Sequence, residues 1–145
     1  MRTPAILAAC LALTAATLAW STPPALAVSD AWVRVTPGAE VAAAYLTLHN
    51  GGTAPVSIVG VRSPLAAMAM IHETRLVGTR STMRAREELV VAPGQTVRFA
   101  PGGLHVMLQD LSRALKAGDE VPLVLILKDG GTLAVAARVR PLVSE

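Results

Sequence analysis

Residues 121–127, Val121-Pro122-Leu123-Val124-Leu125-Ile126-Leu127, are apolar at every position, and residues 133–140, Leu133-Ala134-Val135-Ala136-Ala137-Arg138-Val139-Arg140, follow after Asp129-Gly130-Gly131. The first segment has the pattern of a strand covered on both faces. The second has the composition of a helix, but the Asp-Gly-Gly turn joins it to its neighbour as the return arm of a β-hairpin. The same punctuation recurs along the chain, at Pro37-Gly38, Asn50-Gly51-Gly52, Ser63-Pro64, Pro93-Gly94, Pro101-Gly102-Gly103 and Ala117-Gly118-Asp119. Between these turns lie short runs of strand character. Residues 42–49 set Tyr45 and Thr47 against Leu46 and Leu48. Residues 55–62 set Val56, Ile58 and Gly60 against Val59 and Val61. Val97 and Phe99 alternate with Thr96 and Arg98. One segment, 110–117, reads as a short helical turn, with Asp110 as its cap and Gly118 as its stop. The pattern predicts a single all-β domain, a β-sandwich or small Greek-key barrel.

The full chain has 145 residues, 52% hydrophobic, 3% aromatic and 16% charged, with a formal charge of +3. That length holds one domain. The hydrophobicity excludes intrinsic disorder, and no run of like charge suggests a nucleic-acid face. Residues 1–27 differ from the rest. After Met1 their one charge is Arg2, followed by an apolar stretch from Ala5 to Trp20, a polar Ser21-Thr22-Pro23-Pro24 and then Ala25-Leu26-Ala27. This is the layout of a secretory signal cleaved after Ala27, leaving a domain at 28–145. Two other readings exist. A membrane anchor is short of the roughly 20 residues a span needs. A lipoprotein signal at Leu7-Ala8-Ala9-Cys10 leaves little apolar sequence ahead of its cysteine. Removing 27 of 145 residues leaves 118, and the one cysteine goes with them. The remaining domain therefore has no disulfide, no thiolate metal site and no dithiol redox pair.

Little in the domain suggests catalysis. It has no Gly-x-Ser-x-Gly elbow and no phosphate-cradling glycine pattern. Acidic pairs such as Glu87-Glu88 fit a solvated surface. Trp32, Tyr45 and Phe99 are too few for a base-stacking platform; Trp32 and Phe99 are expected in the core, and Tyr45 in the core or at a site rim.

Histidine and methionine stand out: His49, His72, His105, Met68, Met70, Met83 and Met107. In a strand over 67–73, Met68, Met70 and His72 share one face; over 104–108, His105 and Met107 share one face while Leu104, Val106 and Leu108 take the other. Methionine is a frequent gap-filler of cores, and Met68 in particular is expected there. His49, beside the Asn50 turn, reads as a satisfied polar group. An imidazole beside a thioether, as in His105 with Met107, makes poor core and a good half-site for a soft metal. Thioethers favour Cu(I), whereas zinc prefers thiolate or carboxylate beside imidazole. Blue-copper electron transfer needs a thiolate and is excluded. Outside the cytoplasm thioethers neither oxidise to disulfides nor need deprotonation.

His72, Met83, His105 and Met107 stand in the spacing H-x10-M-x21-H-x-M. This resembles the signature of the periplasmic copper chaperone family PCu(A)C. The likeness extends over roughly residues 28–140 through Ala31-Trp32-Val33-Arg34, Ala43-Ala44-Tyr45-Leu46, Asn50-Gly51, Ile71-His72-Glu73 and the run from Pro101 to Leu108. The resemblance implies a cupredoxin-like or immunoglobulin-like β domain, periplasmic and monomeric, without enzymatic activity. It implies one Cu(I) per chain, with His72, Met83, His105 and Met107 as ligands. It further implies delivery to the CuA centre in subunit II of cytochrome c oxidase, alone or beside a Sco-type protein. Relatives often carry more methionines between the first two ligands, and some a His/Met-rich tail. This chain ends Pro141-Leu142-Val143-Ser144-Glu145, so a second, tail-borne copper is not expected.

Residues 78–86, with the sequence GTRSTMRAR, read as a polar loop, which makes Met83 the least fixed ligand and the first to yield in transfer. Arg75, Arg80, Arg84 and Arg86 lie in the same stretch, either steering an acidic acceptor or merely solvated. Two other classes compete with the carrier. One is a metal-free secreted interaction module in which the cluster is packing. The other is a small metalloenzyme, which the lack of a thiolate and of a proton-transfer pair disfavours. The discriminating observation is whether the four residues converge.

Overall fold

The computed structural model describes residues 25–141. Most of the expected leader, with the Cys10 alternative, lies outside the described residues; Ala25, Leu26 and Ala27 lie within them. Ten strands follow in order: β1 (Leu26–Val35), β2 (Ala42–Asn50), β3 (Val56–Arg62), β4 (Ala66–Val77), β5 (Arg80–Ala85), β6 (Leu89–Val91), β7 (Thr96–Arg98), β8 (Leu104–Leu111), β9 (Glu120–Leu127) and β10 (Thr132–Val139). Hydrogen bonding runs β5-β4-β8-β2-β1-β10-β9-β3-β6, with β7 on the far half of β2. All pairings are antiparallel except that of β1 with β10. Because β3 comes back against β4, the two halves of the sheet close over one core. Leu46 and Leu48 of β2, Ile71 of β4 and Val106 and Leu108 of β8 meet there with Ile58 of β3, Leu123 and Leu125 of β9 and Val135 and Ala137 of β10.

The hairpin β9–β10 forms as its sequence requires. Gly130 takes a positive φ of 90°, open to glycine and strained for other residues. The Asp129 Oδ1 accepts from the Gly131 amide at 2.8 Å. Three local expectations fail. Strand β9 is not covered on both faces: Val121, Leu123 and Leu125 are buried, while Pro122 is exposed and Val124 and Ile126 are half-buried. In β3 a bulge between Ile58 and Gly60 inserts a residue, so Ile58 and Val61 both enter the core and Val59 turns out to solvent. The helical turn at 110–117 does not form. Strand β8 continues to Leu111, held by pairing of Leu111 with Ala66 of β4. The following segment is closed by Asp119, whose carboxylate accepts from the Lys116 amide at 3.0 Å and from Arg113 at 2.7 Å. The local helical preference of a few residues loses to the ladder.

Asn50, fully buried, is the polar hub at the end of β2. Its Nδ2 donates to the carbonyls of Ala54 (2.8 Å) and Val91 (2.9 Å), and its Oδ1 accepts from the Gly52 amide (3.0 Å). The Asn-Gly-Gly signal is thus a turn in which the first side chain ties β2 to β6. Ala25 belongs to the same knot: its carbonyl accepts from the Gly51 amide at 2.8 Å.

Candidate metal centre

The site grows from the register of two strands. Strands β4 and β8 pair so that His72 faces His105 and Met70 faces Met107. Alternation then sends Ile71, Val106 and Leu108 into the core and the four intervening side chains to the other face. The imidazole centroids of His72 and His105 are 5.8 Å apart and the rings nearly perpendicular, at 73°.

His105 is 6% exposed. Its Nδ1 lies 3.1 Å from the Gly103 carbonyl, which sets the tautomer with hydrogen on Nδ1 and leaves Nε2 free to bind a metal. The same carbonyl accepts from the Thr74 amide at 3.0 Å. The turn Pro101-Gly102-Gly103, with Gly102 at φ +83°, aims that carbonyl. His72 differs: its Nδ1 is buried and has no hydrogen-bond partner among the described residues. An orphaned buried polar atom costs about 1–3 kcal/mol, and a metal ion bound there would satisfy it. Burial, and secondarily the neighbouring His105, hold the His72 pKa below the usual imidazole value. The ring therefore stays neutral near pH 7, the state in which imidazole binds metals.

Met83 arrives from β5. The segment expected to be a loop is instead the outer arm of a hairpin, with Met83 opposite Thr74 and Arg84 opposite Glu73. The strand forms because its backbone pairs along β4 even though most of its side chains are polar and exposed. Met83 is 49% exposed and with His105 and Met107 lines a cleft of about 320 Å³ that Arg34, Tyr45 and Thr74 also border. The cleft is backed by a stack: the Tyr45 ring lies 6.5 Å from His105 and 4.5 Å from Trp32, and the Arg140 guanidinium sits 4.8 Å over Trp32. Phe99 is core as expected, and Tyr45 is both core and rim. Trp32 is half-buried beneath Arg140. Burial raises the Tyr45 pKa, partly offset by Arg34, so the phenol stays protonated.

Among the described residues no group of three or more His, Cys, Asp or Glu gathers anywhere. His105, Met83 and Met107 line this cleft, and His72 does not, standing next to it through its pairing with His105; imidazole with thioethers is a donor set suited to Cu(I) and unsuited to zinc or hard cations. Arg34, Thr74 and the Gly103 carbonyl were not singled out in the sequence; the glycine turn directly before His105 was the signal for the last. The expected core place of Met68 is wrong, since it is 46% exposed. His49 is apart from the site, exposed, with Nδ1 3.0 Å from the Thr96 hydroxyl. The arginines do not surround the cleft. Glu73 pairs with Arg75 (3.1 Å) and Arg86 (3.4 Å), and alternation along β5 puts Arg80 and Arg84 on the face away from Met83.

Residues 26–139 match the LpqE-like family, which carries a lipoprotein designation. A protein of Leifsonia xyli subsp. xyli designated lipoprotein Lxx21020 is 35% identical over 114 residues, which are 78% of this chain and 68% of that one. Among solved structures, CuI-DR1885 from Deinococcus radiodurans is 33% identical, with a TM-score of 0.65 over 83% of this chain and 81% of that one. The copper-bound PCuAC domain from PmoF2 superposes with a TM-score of 0.67 over 81% of this chain and 94% of that one, at 23% identity. The last likeness establishes a shared fold.

Proposed function

The chain belongs to the LpqE-like family, and from the donor set at its cleft we propose that it is an exported carrier of Cu(I), of the PCuAC kind. One ion is held by His72, His105, Met107 and Met83, and the protein is not an enzyme. The observation that carries this reading is the cross-strand His72–His105 pair, with the buried Nδ1 of His72 unpartnered among the described residues, beside a cleft that His105, Met83 and Met107 line. The likeness to CuI-DR1885 supports it.

The donors suit a carrier. Thioethers are neutral and weak, so release needs no proton and no change of charge. Met83 leaves first: it stands on the edge strand and is the most exposed of the four. The acceptor is a cuproprotein that offers stronger ligands, the CuA centre of cytochrome c oxidase subunit II or a Sco-type thiol protein, met by a monomer in the periplasm. Arg34, at the cleft mouth, is the cation placed to meet acidic residues of that partner.

Export follows from the charged start and apolar centre of the N-terminal segment. On this reading the leader ends before Ala25 and not after Ala27. Leu26 is 2% exposed in the core and pairs with Asn50, and the Ala25 carbonyl holds the Gly51 amide. Cleavage after Ala27 would strip all three contacts.

Anaerobic titration with Cu(I) against a chromophoric chelator tests the carrier. One equivalent should be withdrawn from the chelator, and His105→Ala or Met107→Ala should abolish the competition. A wild-type chain that fails to compete refutes it.

A further inference from the structure

All four methionines of the described residues, Met68, Met70, Met83 and Met107, lie outside the core and outside the half-buried layer packed on it. A domain using methionine as filler would place some inside; this one puts every thioether on the face that carries His72 and His105. Two of them, Met68 and Met70, are not needed for a four-donor site. The register places them with purpose: Met70 stands directly opposite Met107, and Met68 opposite Gln109, one step further along the same face. Side chains directly opposite in an antiparallel pair have Cβ atoms about 4.5–5.5 Å apart, within reach of two flexible thioethers. Met83 reaches the cleft from β5, two strands away from Met107. Met107 therefore has Met70 as its direct cross-strand neighbour. Exposure rises along the row, from half-buried Met107 and Met70 to Met68, which is exposed.

We propose that Met70 and Met68 form a thioether path by which Cu(I) leaves the site; this rests on the Cu(I)-carrier reading above. When the bond from copper to the Met83 sulfur breaks, one to the Met70 sulfur forms, keeping the ion on His72, His105 and Met107. The copper remains Cu(I), the exchanged ligands are both neutral, and no proton or electron moves. Met68 then presents the ion at the rim, where a donor of the acceptor displaces the thioethers in turn.

The test uses the full chain labelled with ¹³C at the methionine ε-methyls, titrated anaerobically with Cu(I). The signals of Met83, Met107 and Met70 should move together, with Met68 broadened by exchange. Met70→Leu keeps the volume at a position outside the core, so the thermal melt should be unchanged and one equivalent should still bind. Transfer to a chromophoric Cu(I) chelator should slow by about tenfold or more, the scale on which losing a supporting ligand acts. A stationary Met70 signal with Met83 and Met107 shifted, or an unchanged transfer rate in Met70→Leu, overturns the path and leaves the carrier intact. If no methionine signal moves, the carrier reading fails and the path falls with it.

Discussion

Asn50→Ala is the perturbation whose cost follows most directly from the structure. It removes two donated bonds, to Ala54 and Val91, and one accepted bond, from Gly52. The Val91 carbonyl is in the buried part of the core, while the other two contacts are partly open to water. A buried polar group left unsatisfied costs about 1–3 kcal/mol, and less where water reaches it. The substitution should therefore cost about 3 kcal/mol, a large part of the roughly 5–15 kcal/mol that holds a domain folded. For a domain of this size each kcal/mol lowers Tm by roughly 4 °C, so the expected fall is about 12 °C, read by calorimetry or near-UV circular dichroism. Asn50→Asp keeps the acceptor for Gly52 but replaces the twice-donating Nδ2 with a carboxylate oxygen facing two carbonyls, and should be at least as costly. Cu(I) stoichiometry should be unchanged in both at low temperature. Ala43, which pairs with Met107, lies seven residues up β2 from Asn50, about 23 Å at the strand rise. A loss below about 1 kcal/mol in Asn50→Ala would show that the turn holds without its side-chain hub.

The copper-free chain should lose stability in acid through His72, whose folded pKa lies below its unfolded value near 6.5. The stabilising contribution is complete above that value and is lost as pH falls from it through the folded pKa, because the unfolded chain takes up a proton the folded one refuses; urea midpoints at successive pH values should show this, and His72→Phe should flatten the trend. Intact-mass measurement of the exported protein should find a chain beginning at or before Ala25. A recombinant chain beginning at Val28 forgoes the burial of Leu26 and should be less stable by about 2–3 kcal/mol, so an exported chain starting at Val28 with undiminished stability would sink that boundary. Arg34→Glu should reduce the salt dependence of association with an acidic acceptor, whereas Arg84→Glu, on the far face of β5, should leave it unchanged; the reverse ranking would return the steering role to the β4–β5 hairpin.

The local grammar of this fold is legible in the chain. Turn residues mark the strand ends, and the glycine turn after Asp129 correctly outweighs the helical propensity of 133–140, because a hairpin needs positive φ there and glycine supplies it. The Ile58–Gly60 bulge and the unmade helix at 110–117 were not legible. In both, pairing with a distant strand overrides the preference of a few residues.

The site divides the same way. Residues two apart on a strand point together, so chain periodicity is enough to put Met68, Met70 and His72 on one face and His105 and Met107 on another. Composition likewise sets the soft chemistry of these donors and the absence of a thiol from the domain. Whether the two faces are one face was decided by the register of β4 on β8, where a slip of one residue would turn His72 away from His105. Tertiary structure alone also made Met83 part of an edge strand, turned Arg80 and Arg84 away from the cleft, and drew Ala25 and Leu26 into the domain. Each of these depends on contacts between residues far apart in the chain, and periodicity within one segment carries no information about the segment it will meet.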